Sequence, residues 1–174
     1  MHSRPHNIDS ERLSLHSLSK NDEVELINIF TNPTVKLTYM VPDLTSSEQK
    51  HGLFNRLMTL SQSQEKFVYG IYANDKLIGL INEVENDGKT IELGYVISPN
   101  EHNKGYATEV LSSCIVALFL MGYSTIRTGA FENNIPSIRV MEKSGMHKID
   151  YTEKIDYNNK IHNCIFYEIK NPNV

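Results

Sequence analysis

The chain has 174 residues, 40% of them hydrophobic and 22% charged, with a net charge of −4 at neutral pH. That is the length of one domain, residues 1–174, with enough apolar material for a packed core. The acidic balance argues against a nucleic-acid binder, which needs a basic surface, and suits a cationic partner.

Cys114 and Cys164 are the only cysteines and form no CxxC pair. Neither a disulfide framework nor a metal site is therefore expected. The opening MHSRPHNIDSERL lacks the apolar core of a secretory signal. The most apolar run, CIVALFLMGY, is too short to span a bilayer, so no membrane partner is expected. With two unclustered thiols, these features read as a cytoplasmic protein.

Residues 12–18, RLSLHSL, alternate apolar and polar and predict a first strand. SKNDEVELINIF follows as a helix, with Ser19 as cap, Asp22 and Glu23 in the first turn and Pro33 as its stop. A second helix is predicted over 46–60, with Leu53, Leu57 and Leu60 at helical spacing. Three strand signals come next. KFVYGIYA ends at the turn pair Asn74-Asp75, KLIGLINEV ends at the Asp87-Gly88 hairpin signal, and TIELGYVISP ends at Pro99. A long helix is predicted over 104–121, with Ala107, Val110, Leu111, Cys114, Ile115 and Leu118 on one face and Gly122 as its cap. YSTIRTGAF is a further strand. NNIPSIRVMEKSG is a short helix with Asn134 as cap and Gly145 past its end. HKIDYTEKIDY and KIHNCIFYEI close the chain as a hairpin.

The order β-α-α-β-β-β-α-β-α-β-β predicts an α+β (mixed α/β) architecture. Its sheet is mixed, mostly antiparallel, with one parallel pair joined by the long helix.

The segment NEHNKGYATEV stands between a strand and that helix. A helix N-terminus presents unpaired N–H groups and the positive end of a dipole, which suits phosphate oxygens. Gly105 and Ala107 keep the approach open and Lys104 adds charge. The bland alternative is an ordinary strand-to-helix loop. The P-loop, GxGxxG, HExxH and GxSxG patterns are all absent.

ELGYVISPNEHNKGYATEVL followed by ENNIPSIRVMEKSGM resembles the GNAT acetyltransferase superfamily. Within it, the chain is most similar to the branch that acetylates the N-termini of ribosomal proteins, and SERLSLHSLSKND also resembles that branch's start. The resemblance runs from about residue 9 to 168. It implies a twisted sheet with helices on both faces, a splayed parallel strand pair, and acetyl-CoA as co-substrate. His102, Asn103, Lys104, Gly105, Tyr106 and Ala107 fall on the family's pyrophosphate loop, with Thr108 next in the helix. His102 replaces the family's Arg/Gln, and Asn103 stands where close relatives often have Gly. The pantetheine arm would pair with the exposed edge at Tyr95, Val96 and Ile97.

Acetyl transfer to an amine requires a neutral nucleophile, a donor for the oxyanion and a proton or hydrogen bond for the departing thiolate. Many superfamily members place a Tyr acid where this chain has Met141. The resembled branch instead has Ser at Ser137, the candidate thiolate donor; a first-turn Ser bonding its own helix is the plain alternative. Asn134 is both a helix cap and, by the resemblance, a cofactor neighbour. Glu92 is the candidate base, on one strand face with Gly94 and Val96; Glu83 is a rival, and a cross-strand ion pair is the simpler reading. Tyr95 lies on the other face, where it can pack against helix. His51 and His102 titrate near neutrality. Arg139 and Lys143, at i and i+4, are candidate contacts for the cofactor phosphates. Cys114 reads as core and Cys164 as packing.

The resembled fold forms its acceptor groove from the first two helices and the final hairpin. Those segments carry Asp22, Glu23, Glu25, Asp43, Glu48, Asp150, Glu153 and Asp156, with Tyr39, Met40, Tyr151 and Tyr157 as candidate lining. Three functions follow: acetylation of a protein N-terminal amine, acetylation of a small amine, or a non-catalytic acyl-CoA-binding module. Dimers are common in the resembled family, so a homodimer is admitted as a partner.

Overall fold

In the computed structural model, which describes residues 3–173, eight strands form one sheet. They are β1 (Ile8–Asp9), β2 (Ser14–His16), β3 (Val68–Ala73), β4 (Lys76–Asn86), β5 (Thr90–Ile97), β6 (Thr125–Phe131), β7 (His147–Tyr157) and β8 (Lys160–Lys170). The helices are α1 (Glu23–Thr31), α2 (Pro33–Lys36), α3 (Ser47–Gln62), α4 (Tyr106–Leu120) and α5 (Ile135–Lys143). The sheet order is β1-β2-β3-β4-β5-β6-β8-β7. Among the described residues only β5 and β6 pair in parallel, with α4 as the crossover between them.

Most predicted elements fall where the sequence puts them, because their ends are set by local chemistry. Asn74 and Asp75 take φ of 49° and 61°, and Asn158 and Asn159 take 52° and 57°. These left-handed pairs close two tight hairpins. Ser46 accepts from Gln49 N–H at 3.1 Å and starts α3. The first strand differs. Residues 12–18 supply only the short β2, because Ser10 and Leu13 close a turn that brings back the unpredicted β1. Pro33 differs too: it follows α1 but opens α2, where the Asn32 side chain accepts from Thr34 N–H at 2.9 Å. Proline at a first helical position forfeits no intrahelical bond.

Strand alternation divides the core into two layers. On one face Ile91, Leu93 and Ile97 pack with Leu111, Cys114 and Leu118 of α4 and Met141 of α5. On the other, Leu80 and Val96 pack with Leu26 and Phe30 of α1 and Phe54 of α3. Beyond α1–α3 that second face continues over β6 and β8 as Phe131, Cys164 and Phe166. Among the described residues no helix is long and apolar enough to cross a membrane.

The pairing of β5 with β6 stops at Leu93 opposite Thr128. β5 continues to Ile97 along β4, while β6 continues to Phe131 along β8. From Gly94 onward the two strands part, as the resemblance implies.

Arg4 fastens the segment before β1 to the rest. It is 5% exposed, donates to the carbonyls of Ser61, Ser63, Lys66 and Val68, and lies over the Tyr69 ring at 3.9 Å. Charged donors to buried carbonyls contribute more than neutral ones. Arg4→Met is expected to lower unfolding stability by about 2–3 kcal/mol, read as a shift in the urea midpoint. An unchanged midpoint would show that these carbonyls rehydrate freely.

Candidate active site

The loop after β5 is built from a 3-10 turn at Pro99–Glu101, then His102 to Gly105, then α4. Asn103 takes φ 62° and Gly105 φ 81°, so Asn103 adopts the left-handed backbone itself. Gly105 is the N-cap of α4 and offers no side chain to cap it. The first helical backbone bond runs from Glu109 N–H to Gly105 O. The amides of Tyr106, Ala107 and Thr108 therefore have no partner within the helix.

The charges around this loop are arranged differently from the expectation. Lys104 Nζ is paired with Glu101 at 2.6 Å. The His102 ring faces back to Ile97 O at 2.9 Å, closing the end of β5. Arg12, which the sequence reading did not single out for the site, reaches the loop instead. Its guanidinium pairs with Glu109 at 2.7 Å, donates to Lys104 O at 2.9 Å and lies over the Tyr106 ring at 4.7 Å. Burial pushes the Glu109 carboxyl up, but hydrogen bonds from Ser10 and Arg12 outweigh it and hold it below its ordinary value.

Where β5 and β6 part, a cavity of about 370 Å³ runs through the sheet. Glu92, Gly94, Tyr95 and Arg127 line it, with Asn134 and Ser137 at the start of α5 and Tyr151 and Glu153 on β7. Glu92 lies in register with Glu85 on one side and Arg127 on the other. Arg127 makes its ion pair with Glu168, at 3.5 Å, and its Nε is buried without a partner. Burial, chiefly, and the charge of Glu85 push the Glu92 carboxyl above its ordinary value; Arg127 offsets part of this.

Asn134 Oδ1 accepts from Ser137 N–H at 3.3 Å, so Asn134 is the cap. The Tyr95 hydroxyl donates to Ser137 O at 3.4 Å, and burial pushes this phenol up to about 12. Tyr95 thus packs against helix as predicted, with its hydroxyl proton given to Ser137 O, and the residue also lines the cavity. Met141 is fully buried, which explains an apolar residue at that position.

Several candidates are separated from this centre. Glu83 is committed to Lys66 Nζ at 2.6 Å and Phe67 N–H at 2.9 Å. His51 pairs with Glu23 at 2.7 Å on the surface. Arg139 and Lys143 are exposed and outside the cavity lining. Val96 and Ile97 bury their side chains in opposite layers, leaving only their backbone for a ligand. Cys114 is core, whereas Cys164 lines the cavity with its thiol pushed up to about 11 by burial.

The side of the cavity where the acceptor is expected is walled by Thr38, Tyr39 and Met40, just after α2, and by β7, rather than by the long helices. Tyr157 Oη donates to Tyr39 O at 3.2 Å and ties these walls together. Of the acids predicted there, only Glu153 lines the cavity. Asp22 instead accepts from Ser19 and Tyr72. Glu85 is the lining carboxylate missed in sequence. A bulge between Glu83 and Glu85 separates two residues that strict alternation puts on one face.

The arrangement is that of an acyltransferase: an amide-lined helix start, a parted strand pair and, at the parting, a cavity lined by carboxylates and the Ser137 side of α5. The chain belongs to the GNAT acetyltransferase family, whose acetyltransferase (GNAT) domain model matches residues 12–147. It is an enzyme that uses acetyl-CoA as acyl donor. It is 27% identical over 157 residues to the uncharacterized N-acetyltransferase YoaA of Bacillus subtilis, covering 87% of this chain and 89% of that one. Among solved structures, a GNAT-family acetyltransferase from Bacillus anthracis matches with TM-score 0.81 at 25% identity, over 95% of this chain and 98% of that one. RimL, a ribosomal L7/L12 alpha-N-protein acetyltransferase solved with coenzyme A, matches with TM-score 0.80 at 16% identity, over 97% and 98%.

The raised Glu92 carboxyl has a consequence for stability. A carboxyl whose folded pKa lies above its unfolded value binds more protons when folded. Its favourable contribution is present at low pH and is lost as pH rises through the folded pKa. Glu92→Gln is therefore expected to raise the thermal midpoint at pH 7–8 and to leave it nearly unchanged at pH 4. A lowered midpoint at pH 7–8 would mean that the ionised carboxylate is structurally favourable.

Proposed function

We propose that this enzyme acetylates a protein N-terminal amine by direct attack on acetyl-CoA in a ternary complex. The observation that carries this reading is the form of the cavity's acceptor side. Its lining includes Met40, Val84 and Tyr151, all more than two-fifths exposed, so the rim is open enough to admit a chain end. The fold shared with RimL supports the reading by analogy.

In this reading the amides of Gly105 to Thr108 hold the pyrophosphate, and the unpaired edge at Tyr95 to Ile97 takes the pantetheine arm. His102 and Asn103 shape the turn. Arg139 and Lys143, exposed on α5, remain available to the outer phosphate. Glu92 removes a proton from the incoming ammonium, directly or through a water. The neutral amine then forms its C–N bond with the acetyl carbonyl carbon. The C–S bond breaks, Ser137 Oγ protonates or hydrogen-bonds the departing thiolate, and the excess proton left on the new amide nitrogen passes through water to the serine or the thiolate, so both end neutral. Two features favour Ser137 for this role. It stands at the cavity wall, and Asn134 rather than its own hydroxyl supplies the helix cap. The Tyr95 phenol, which donates to Ser137 O, ties the start of α5 to β5 beside it.

A second reading, a small cationic amine, is favoured by one observation: Glu85, Glu92 and Glu153 all line the cavity against a single Arg127. Thiol release measured across peptides and polyamines separates the two. Faster turnover of the polyamines would overturn the protein-acceptor proposal.

Ser137→Ala is expected to lower kcat about 100-fold while calorimetry shows acetyl-CoA affinity nearly unchanged. Equal turnover would remove Ser137 from the chemistry. Because Glu85 helps to raise Glu92, Glu85→Gln is expected to move the acidic limb of kcat/KM to lower pH. A stationary limb would assign the base elsewhere.

A further inference from the structure

The amides at the start of α4 are aimed by a residue far away in sequence. The Lys104 carbonyl and the Gly105 N–H belong to one peptide unit. In a planar trans peptide these two groups point in opposite directions, and no cis bond occurs among the described residues. Arg12 Nη1 donates to Lys104 O at 2.9 Å. The bond that draws this carbonyl towards Arg12 therefore turns the Gly105 N–H the other way. Gly105, at φ 81°, has no side chain to hold its own peptide in place.

The same guanidinium deals with a second problem. Glu109 is the acidic residue of the first turn of α4. A free carboxylate there would compete with a phosphate for the helix amides and repel it. Here both its oxygens are occupied. Oε2 accepts from Arg12 Nε at 2.8 Å and pairs with Nη2 at 2.7 Å, while Oε1 accepts from Arg12 N–H at 2.8 Å and Ser10 Oγ at 2.7 Å.

We propose that Arg12 is a positioning residue for the acyl donor's pyrophosphate. Its planar fork holds the Lys104 carbonyl and the Glu109 carboxylate at once, aiming the Gly105 amide and masking the first-turn charge. The proposal rests on the reading of residues 105–108 as the pyrophosphate site. A lysine carries the same charge on a single point and cannot make both sets of bonds.

The test measures coenzyme A affinity by calorimetry and the ligand-free thermal midpoint for the parent chain, Arg12→Ala, Arg12→Lys and Gly105→Val. Arg12→Lys is expected to keep the midpoint, since it retains the ion pair, yet to weaken coenzyme A binding about tenfold through loss of the charge-assisted bond to Lys104 O. Arg12→Ala is expected to lose both. Gly105→Val is expected to abolish saturable binding by blocking the amides. Recovery of both midpoint and affinity in Arg12→Lys would reduce Arg12 to a structural charge and overturn the proposal. So would parent-like affinity in either Arg12 variant while Gly105→Val fails to bind. Parent-like affinity in Gly105→Val would instead remove the pyrophosphate reading, and the proposal with it. Should Arg12→Ala not fold, Arg12→Lys still decides.

Discussion

The parting of β5 from β6 is the constraint on which the rest of the site depends. Two parallel strands that pair over Thr90–Leu93 and Thr125–Thr128 are then led away by different neighbours, β4 and β8. Each continues a full antiparallel ladder on its outer side, so separation forfeits pairing only on the inner side. The inner backbone groups beyond Leu93 lack a strand partner, and a buried amide without one is costly. An extended amide-bearing arm can fill that vacancy as a strand would. The same parting opens the cavity that joins the two faces of the sheet.

Electrostatics follow from that opening. Glu92 sits one residue before the last paired position, facing Glu85 across one strand boundary and Arg127 across the other. Burial and the neighbouring carboxylate both disfavour its ionised form, which is how a carboxylate acquires the proton affinity a base requires. The helix start proposed for the phosphate is handled oppositely. There the helix start supplies the positive potential, the nearest lysine is neutralised by Glu101, and Arg12 absorbs the first-turn acid. On the proposed reading the site separates a proton-accepting end at Glu92 from an anion-accepting end at the start of α4.

The legible parts were those whose cause is local. Gly105 before an amphipathic run, Asn134 three residues before Ser137, and the Asn-Asp and Asn-Asn turns each announce one backbone geometry through short-range sterics and hydrogen bonds. The strand-loop-helix junction was therefore readable, and so was the crossover. Glu92 and Ser137 were placed on their elements by periodicity and by resemblance, and the tertiary structure brings both to one cavity. Glu83 was a rival to Glu92 on the neighbouring strand, but it turns to Lys66 and Phe67, and the bulge beyond it brings Glu85 rather than Glu83 opposite Glu92. Arg12 read as the opening of a strand, since nothing within its own neighbourhood signals a partner at Lys104.

By itself, the sequence determined the order of elements, most of their ends and the phosphate-suited helix start, because each is decided within a few residues by φ preference, capping and apolar period. Only the tertiary structure decided where β5 and β6 part, which carboxylates line the gap, and that Arg12 and Glu109 close over the Gly105 loop. Those outcomes depend on register and packing between segments many tens of residues apart. Competing pairings there differ by small sums of many contacts, which no local pattern records.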